Sequence, residues 1–167
     1  MMTATVCVFV LPPDPPGRPG GKGPFNENLM PNAQGFSYFF GTPMHNGFTK
    51  DVDLRRFVVE LMRNGEVVES PADLDKLTMV YTHEAVNFIR DNKDRPFFIL
   101  LSHNMPHVPL AVSDDFRGKS SRGLYGDAIE EVDWSVGQVV SELDSLNLLQ
   151  DTLIVFLSSK TFESYLF

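Results

Sequence analysis

Arg95-Pro-Phe-Phe-Ile-Leu-Leu-Ser-His-Asn-Met-Pro-His-Val-Pro-Leu110 couples an apolar run to a proline-braced loop that carries two histidines. Residues 97–101 have the length and bounding residues of a strand buried on both faces, the kind found in parallel sheets. Such strands place functional groups just beyond their carboxyl ends, which is where His103 and His107 stand. Pro106 and Pro109 lock their own φ angles and restrict the residue before each, so His107 is held in a narrow range of directions. Two uses are open to this pair: contact with a ligand, or hydrogen bonds to nearby loop carbonyls.

Downstream, Ile129, Val132, Val136, Val139, Leu143 and Leu146 alternate steps of three and four, the spacing of one apolar helix face. A helix is predicted from about Asp127 to Leu146, laid over a sheet, with the Asp127 carboxylate complementing its dipole. Glu130, Glu131 and Asp133 read as solvated helix-face acids rather than a metal cluster, and Trp134 and Gly137 as close-packing positions. Residues 153–157 form a second apolar run ending in Ser158, predicted to lie parallel to residues 97–102 in the same sheet through a right-handed crossover.

Upstream, Ser70 and Pro71 fit the cap and first position of a helix that runs to about Asn92. Its apolar stripe is Leu74, Leu77, Tyr81, Ala85 and Phe88, which leaves His83 and Glu84 toward solvent. Asn64-Gly65 between two strand-like runs signals a two-residue hairpin. The aromatic segment 28–49 reads as loop-rich, and His45 within it as solvated or satisfied in the core. Residues 1–24 join a short apolar stretch to a Pro- and Gly-rich run, predicting a disordered or loosely extended arm.

Composition narrows the class. A chain of 167 residues with 43% hydrophobic and 22% charged content is large enough for one sizeable core. A formal charge of −8 with no basic stripe argues against nucleic acid as partner. The apolar run 6–11 is far short of the roughly 20 residues of a membrane span, and it lacks the basic flank and small-residue cleavage site of a secretory signal. The single cysteine, Cys7, permits no internal disulfide.

The order His103, Pro106, His107, Pro109, then Gly123-Leu-Tyr-Gly-Asp-Ala-Ile-Glu-Glu-Val-Asp-Trp-Ser-Val-Gly137, then Asp151-Thr-Leu-Ile-Val-Phe-Leu-Ser-Ser159, closely resembles the sulfatase family of the arylsulfatase type. Pro31-Asn-Ala-Gln-Gly-Phe-Ser-Tyr-Phe-Phe-Gly-Thr-Pro43 is similar to the family's segment between its first active-site motifs and mid-domain. The likeness runs from about residue 28 to residue 159. It implies an α/β fold, a partial alkaline-phosphatase-like domain over residues 25–159 with parallel strands covered by helices and part of the sheet lacking. Residues 1–24 would be the arm and residues 160–167 a divergent tail.

The resemblance also implies chemistry. His107 takes the catalytic position that donates a hydrogen bond to the sulfate or leaving-group oxygen, and His107, His103 and Lys22 become the substrate-binding candidates. Lys22 rests on Gly21-Lys22-Gly23 standing roughly where the family has Gly-Lys-Trp-His; otherwise it is a solvated residue of a flexible segment. Complete members use calcium and a formylglycine made from the cysteine of Cys-x-Pro-Ser-Arg. Here Cys7 is followed by Val-Phe-Val-Leu, the amino-terminal aspartate pair is missing, and Lys160-Thr161 replaces the Asp-Asn after Ser159. A lysine ammonium cannot ligate calcium, which takes oxygen donors, so no cofactor is expected in this chain. Complete members act on sulfated small molecules or glycans and are mostly secreted, periplasmic or lysosomal. Two readings remain: a sulfuric ester hydrolase made inactive in this truncated chain, or a non-catalytic truncated isoform or binding remnant of a sulfatase.

Overall fold

The computed structural model describes residues 5–8, 30–43, 46 and 59–157. Among them the chain forms, in order, β1 (Thr5–Val8), β2 (Tyr38–Gly41), β3 (Leu61–Arg63), β4 (Glu66–Glu69), α1 (Leu77–Asn92), β5 (Phe98–Leu101) and α2 (Gly123–Ser145). The strands make one sheet in the order β4-β3-β2-β1-β5. β1 is parallel to both β2 and β5, with Cys7 opposite Phe39 on one side and Leu100 on the other. The hairpin β3–β4 adds antiparallel to β2.

Alternation along the strands sorts the core. Phe40 and Tyr38 pack toward α1 with Leu61, Leu77, Tyr81, Ile99 and Leu101. Phe39 and Leu100 point the other way, onto Met30, Phe36 and Met62, as the two-residue period of a strand requires. The Asn64-Gly65 turn forms as predicted, with φ 50° and 89° at its two residues, the left-handed pair of a type I′ hairpin. Asn64 then ties the ribbon to β2: its N–H donates to the Phe39 carbonyl at 2.9 Å, and its side-chain oxygen accepts from the Phe39 N–H at 2.9 Å.

α1 differs from the sequence reading at its start and on one face. A 3-10 turn, Leu74–Lys76, precedes it, and Asp73 rather than Ser70 is the cap, its carboxylate accepting from the Asp75 N–H at 3.2 Å. Ser70 instead donates to Glu60 at 3.2 Å. Leu77, Tyr81 and Ala85 are buried as the stripe requires, but so are Thr78, Thr82 and Ile89, because α2 covers a second side of the helix. Glu84 does not face solvent as expected. It accepts from the Tyr38 hydroxyl and, at 2.8 Å, from the Arg63 guanidinium, joining α1 to β2 and β3. Burial and this carboxylate push the Tyr38 phenol up to about 12.

α2 begins at Gly123, a turn before Asp127, and packs on α1 instead of on the sheet. Arg90 on α1 and Glu142 on α2 close that contact with paired hydrogen bonds of 2.8 and 2.7 Å. The buried residues of α2 include Ala128, Glu131, Ser135 and Leu143, whereas Ile129 is 40% exposed. The aliphatic period located the helix and part of its inward face, for Leu143 is buried and Val132 packs on the core, while Ala128, Glu131 and Ser135 supply the rest. Gly137 is exposed and its missing side chain meets nothing; the close approach is at Gly126, where a Cβ would lie 2.2 Å from the Ser120 hydroxyl oxygen.

The second predicted parallel strand is not formed. Residues 153–157 have no strand structure and are exposed, up to 88% at Leu153, so the parallel partner of β5 is β1, from the amino-terminal part of the chain. β5 is therefore an edge strand, not one buried on both sides, and its Phe98 is 54% exposed. Thr5–Val8, within the region read as an arm, is the strand that joins the two halves of the sheet. The rest of residues 1–24, Ser158 and the tail 160–167 lie outside the described residues.

Candidate functional site

The loop of residues 102–110 leaves the carboxyl end of β5, as the sequence indicated, and its two histidines find different partners. Met105–Pro106 and Val108–Pro109 are both cis. His107 is half-exposed. Its backbone N–H donates to the Asn104 carbonyl at 3.0 Å, and its ring Nδ1 lies 2.5 Å from the Val108 carbonyl oxygen. A carbonyl can only accept, so Nδ1 carries the proton there and Nε2 of the neutral ring keeps its lone pair.

His103 turns inward. Its Nε2 is 3.1 Å from the Ser135 hydroxyl, which is 2.5 Å from Thr82 Oγ1, itself 2.6 Å from the Thr78 carbonyl. Thr82 has one hydroxyl proton to share between the Thr78 carbonyl and Ser135, and whether Ser135 donates to or accepts from His103 Nε2 follows the tautomer of the ring. His103 Nδ1 is left without a partner and sealed from solvent. Burial lowers the His103 pKa to about 4, which keeps the ring neutral in the α1–α2 contact, next to Tyr81 at a ring-centre distance of 6.5 Å. In this arrangement the half-buried His103 makes its hydrogen bond with Ser135 of α2.

The loop is held from beneath by groups that carried no sequence signal. Asn46 is fully buried, and its amide nitrogen donates to the carbonyls of His107 at 3.1 Å and Pro109 at 3.5 Å. Asn104 donates to the Asn46 side-chain oxygen at 2.6 Å and to Thr42 Oγ1 at 3.2 Å. Met105, Ala111 and Ala128 pack together and attach the loop to α2.

The following segment, to the start of α2, is clasped by acids. Asp127 accepts from the Gly118 and Ser120 N–H groups at 2.8 and 2.7 Å, and these backbone donors hold its pKa below the usual range. Its role is therefore to anchor this loop as well as to stand near the helix start. Glu131, expected to be solvated, is 1% exposed; it accepts from the Ser113 N–H at 3.2 Å while its other oxygen has no partner, and burial raises its pKa. Glu130 and Asp133 are exposed as expected.

Lys22 and His45 lie outside the described residues. Among the described residues no group of three or more His, Cys, Asp or Glu side chains is placed to hold a metal ion. Cys7 is central in β1 and outside the Cys-x-Pro-Ser-Arg context that formylglycine requires. No helix among the described residues is long and apolar enough to cross a membrane.

Comparison with known proteins agrees with this layout. The Sulfatase family model matches residues 18–160. Human steryl-sulfatase is 49% identical over 100 residues, covering 60% of this chain and 17% of the relative. Canine N-acetylgalactosamine-6-sulfatase is 36% identical over 140 residues, covering 77% and 26%. The chain thus spans about a quarter or less of the length of these curated relatives. Among solved structures, a sulfatase from Pseudoalteromonas sp. superposes with a TM-score of 0.68 at 20% identity, covering 87% of this chain and 33% of that one. A Bacteroides thetaiotaomicron protein of glycosaminoglycan metabolism gives 0.67 at 23% identity, covering 88% and 40%. These two show the same partial alkaline-phosphatase-like α/β fold. With the family model matched over residues 18–160, most of this chain, the chain belongs to the sulfatase family.

Proposed function

We propose that this chain carries the part of a sulfatase site that contacts the sulfate oxygens of a sulfated small molecule or glycan, with His107 as the contacting residue. The observation that carries the reading is the bond from Nδ1–H to the Val108 carbonyl. With Nδ1–H held by the loop backbone, a protonated ring has its other N–H at Nε2, and charge-assisted hydrogen bonds from an imidazolium to an anionic oxygen are the strong ones. In a sulfuric ester hydrolase that N–H serves the sulfate or the leaving-group oxygen, where charge develops during reaction. Lys22 enters as a second contact only through its place in the sequence.

On this reading the contribution of the chain is binding. In family members the formylglycine supplies the nucleophile and calcium stabilises charge, and neither the cysteine motif nor a converging set of oxygen ligands is present in the described residues. The chain by itself therefore does not hydrolyse sulfate esters. Assay of the purified chain on a chromogenic aryl sulfate, with calorimetric calcium titration, is expected to give no turnover and no tight calcium binding. Turnover abolished by His107→Ala, or micromolar calcium affinity, would contradict this.

A further inference from the structure

We infer that Asn46 and Asn104 are positioning residues for His107, the last links of a buried hydrogen-bond relay that runs from α1 to the loop backbone. The purpose of the relay rests on the reading of His107 given above; its existence does not.

The relay can be followed proton by proton. Tyr81, on α1 and fully buried, accepts from the Thr42 N–H at 3.2 Å and donates its hydroxyl proton to Thr42 Oγ1 at 3.4 Å. Asn104 gives its two amide protons to Thr42 Oγ1 and to Asn46 Oδ1. Asn46 gives its two to the carbonyls of His107 and Pro109. Each amide can be turned only one way, because flipping Asn46 would set its oxygen against two carbonyl oxygens and its nitrogen against the Asn104 donor. Burial removes water as a substitute partner, so the orientation is enforced. The two carbonyls that Asn46 grips flank Val108, whose own carbonyl fixes the His107 ring. Held on both sides, the Val108 peptide keeps one direction, and the His107 tautomer follows from it.

Nothing in the local sequence marks Asn46, yet its amide geometry predicts a specific defect when it is changed. Asn46→Asp keeps the shape and replaces both donors with an oxygen that faces two carbonyl oxygens. Asn104→Ala removes the donor that orients Asn46. Both variants of the full chain, without sulfate, are to be examined by nitrogen-15 NMR of the imidazoles and by amide hydrogen exchange. With the ring neutral, wild type is expected to show His107 as the Nδ1-protonated tautomer. Both variants are expected to show mixed tautomers at His107, with amides of residues 105–110 exchanging about 10-fold faster or more and those of α1 and α2 unchanged. A single unchanged tautomer and unchanged loop exchange in a folded variant would overturn the inference. So would global unfolding of both variants, since the network would then be a requirement of the core rather than a device that aims one side chain. Because no sulfate is added, failure here leaves the sulfate reading of His107 standing, and a wild-type chain that ignores sulfate leaves the relay standing.

Discussion

Two glycines inside α2 should respond in opposite directions to the same substitution. Replacing glycine by alanine within a helix stabilises by about 1 kcal/mol, through the backbone entropy that glycine loses on folding. At Gly137 nothing lies within 4 Å of the added Cβ, so Gly137→Ala should keep that whole gain. At Gly126 the Cβ meets Ser120 Oγ at 2.2 Å, Ser120 Cβ at 2.8 Å and Arg122 Cβ at 2.9 Å. Ser120 cannot easily withdraw, because its N–H is held by the Asp127 carboxylate at 2.7 Å, one residue from the substitution. Overpacking of this kind costs about 1–3 kcal/mol, which meets or exceeds the propensity gain. Gly126→Ala should therefore be neutral to about 2 kcal/mol destabilising. At about 3 °C per kcal/mol for a chain of this size, the two variants should be separated by about 3–9 °C in Tm. Thermal and urea unfolding followed by far-ultraviolet circular dichroism measures this. Equal stabilisation of both variants would refute the close contact between α2 and the clasped loop.

Two further outcomes follow from the buried polar groups. Glu131→Gln keeps an acceptor for the Ser113 N–H and removes the ionisation that burial opposes. Because the folded pKa of Glu131 is raised, wild type loses stability as pH rises from the unfolded value of about 4.3 through the folded one; the variant should be the more stable at neutral pH and lose that advantage in acid. A pH-independent difference would contradict the assignment. Ser135→Ala removes the partner of His103 Nε2 and one of the two partners of Thr82 Oγ1 and should cost about 1–3 kcal/mol in urea unfolding. A change within a few tenths of a kcal/mol would show that the Thr82–Ser135–His103 chain contributes little.

What the sequence made legible is what local pattern determines. The run before His103 reads as a strand from its length and apolar content, and Asn64-Gly65 reads as a turn because few residues accept two left-handed conformations. Edge position was not legible, because it depends on which strands arrive from elsewhere: Thr5–Val8 stands beside a Pro- and Gly-rich run and yet pairs with two strands. The polar part of the inward face of α2 was hidden for a different reason. Glu131 and Ser135 look like surface residues until Ser113 and His103, from another segment, satisfy them. At the site, both histidines of one loop were equally eligible in sequence and both are half-buried; only their contacts separate them, His103 meeting Ser135 of α2 and His107 the Val108 carbonyl of its own loop. Asn46 lies in an aromatic stretch with nothing periodic around it, and its importance comes wholly from carbonyls more than sixty residues away.

Nitrogen-15 and proton NMR of the imidazoles during titration with inorganic sulfate tests the assignment of His107 most directly. A saturable shift of the His107 ring and of the amides beside it is expected at a pH where that ring is partly protonated, with His103 unmoved and the response absent in His107→Ala. A response centred on His103, or none at His107 in a folded chain, would contradict the assignment of His107 as the sulfate contact.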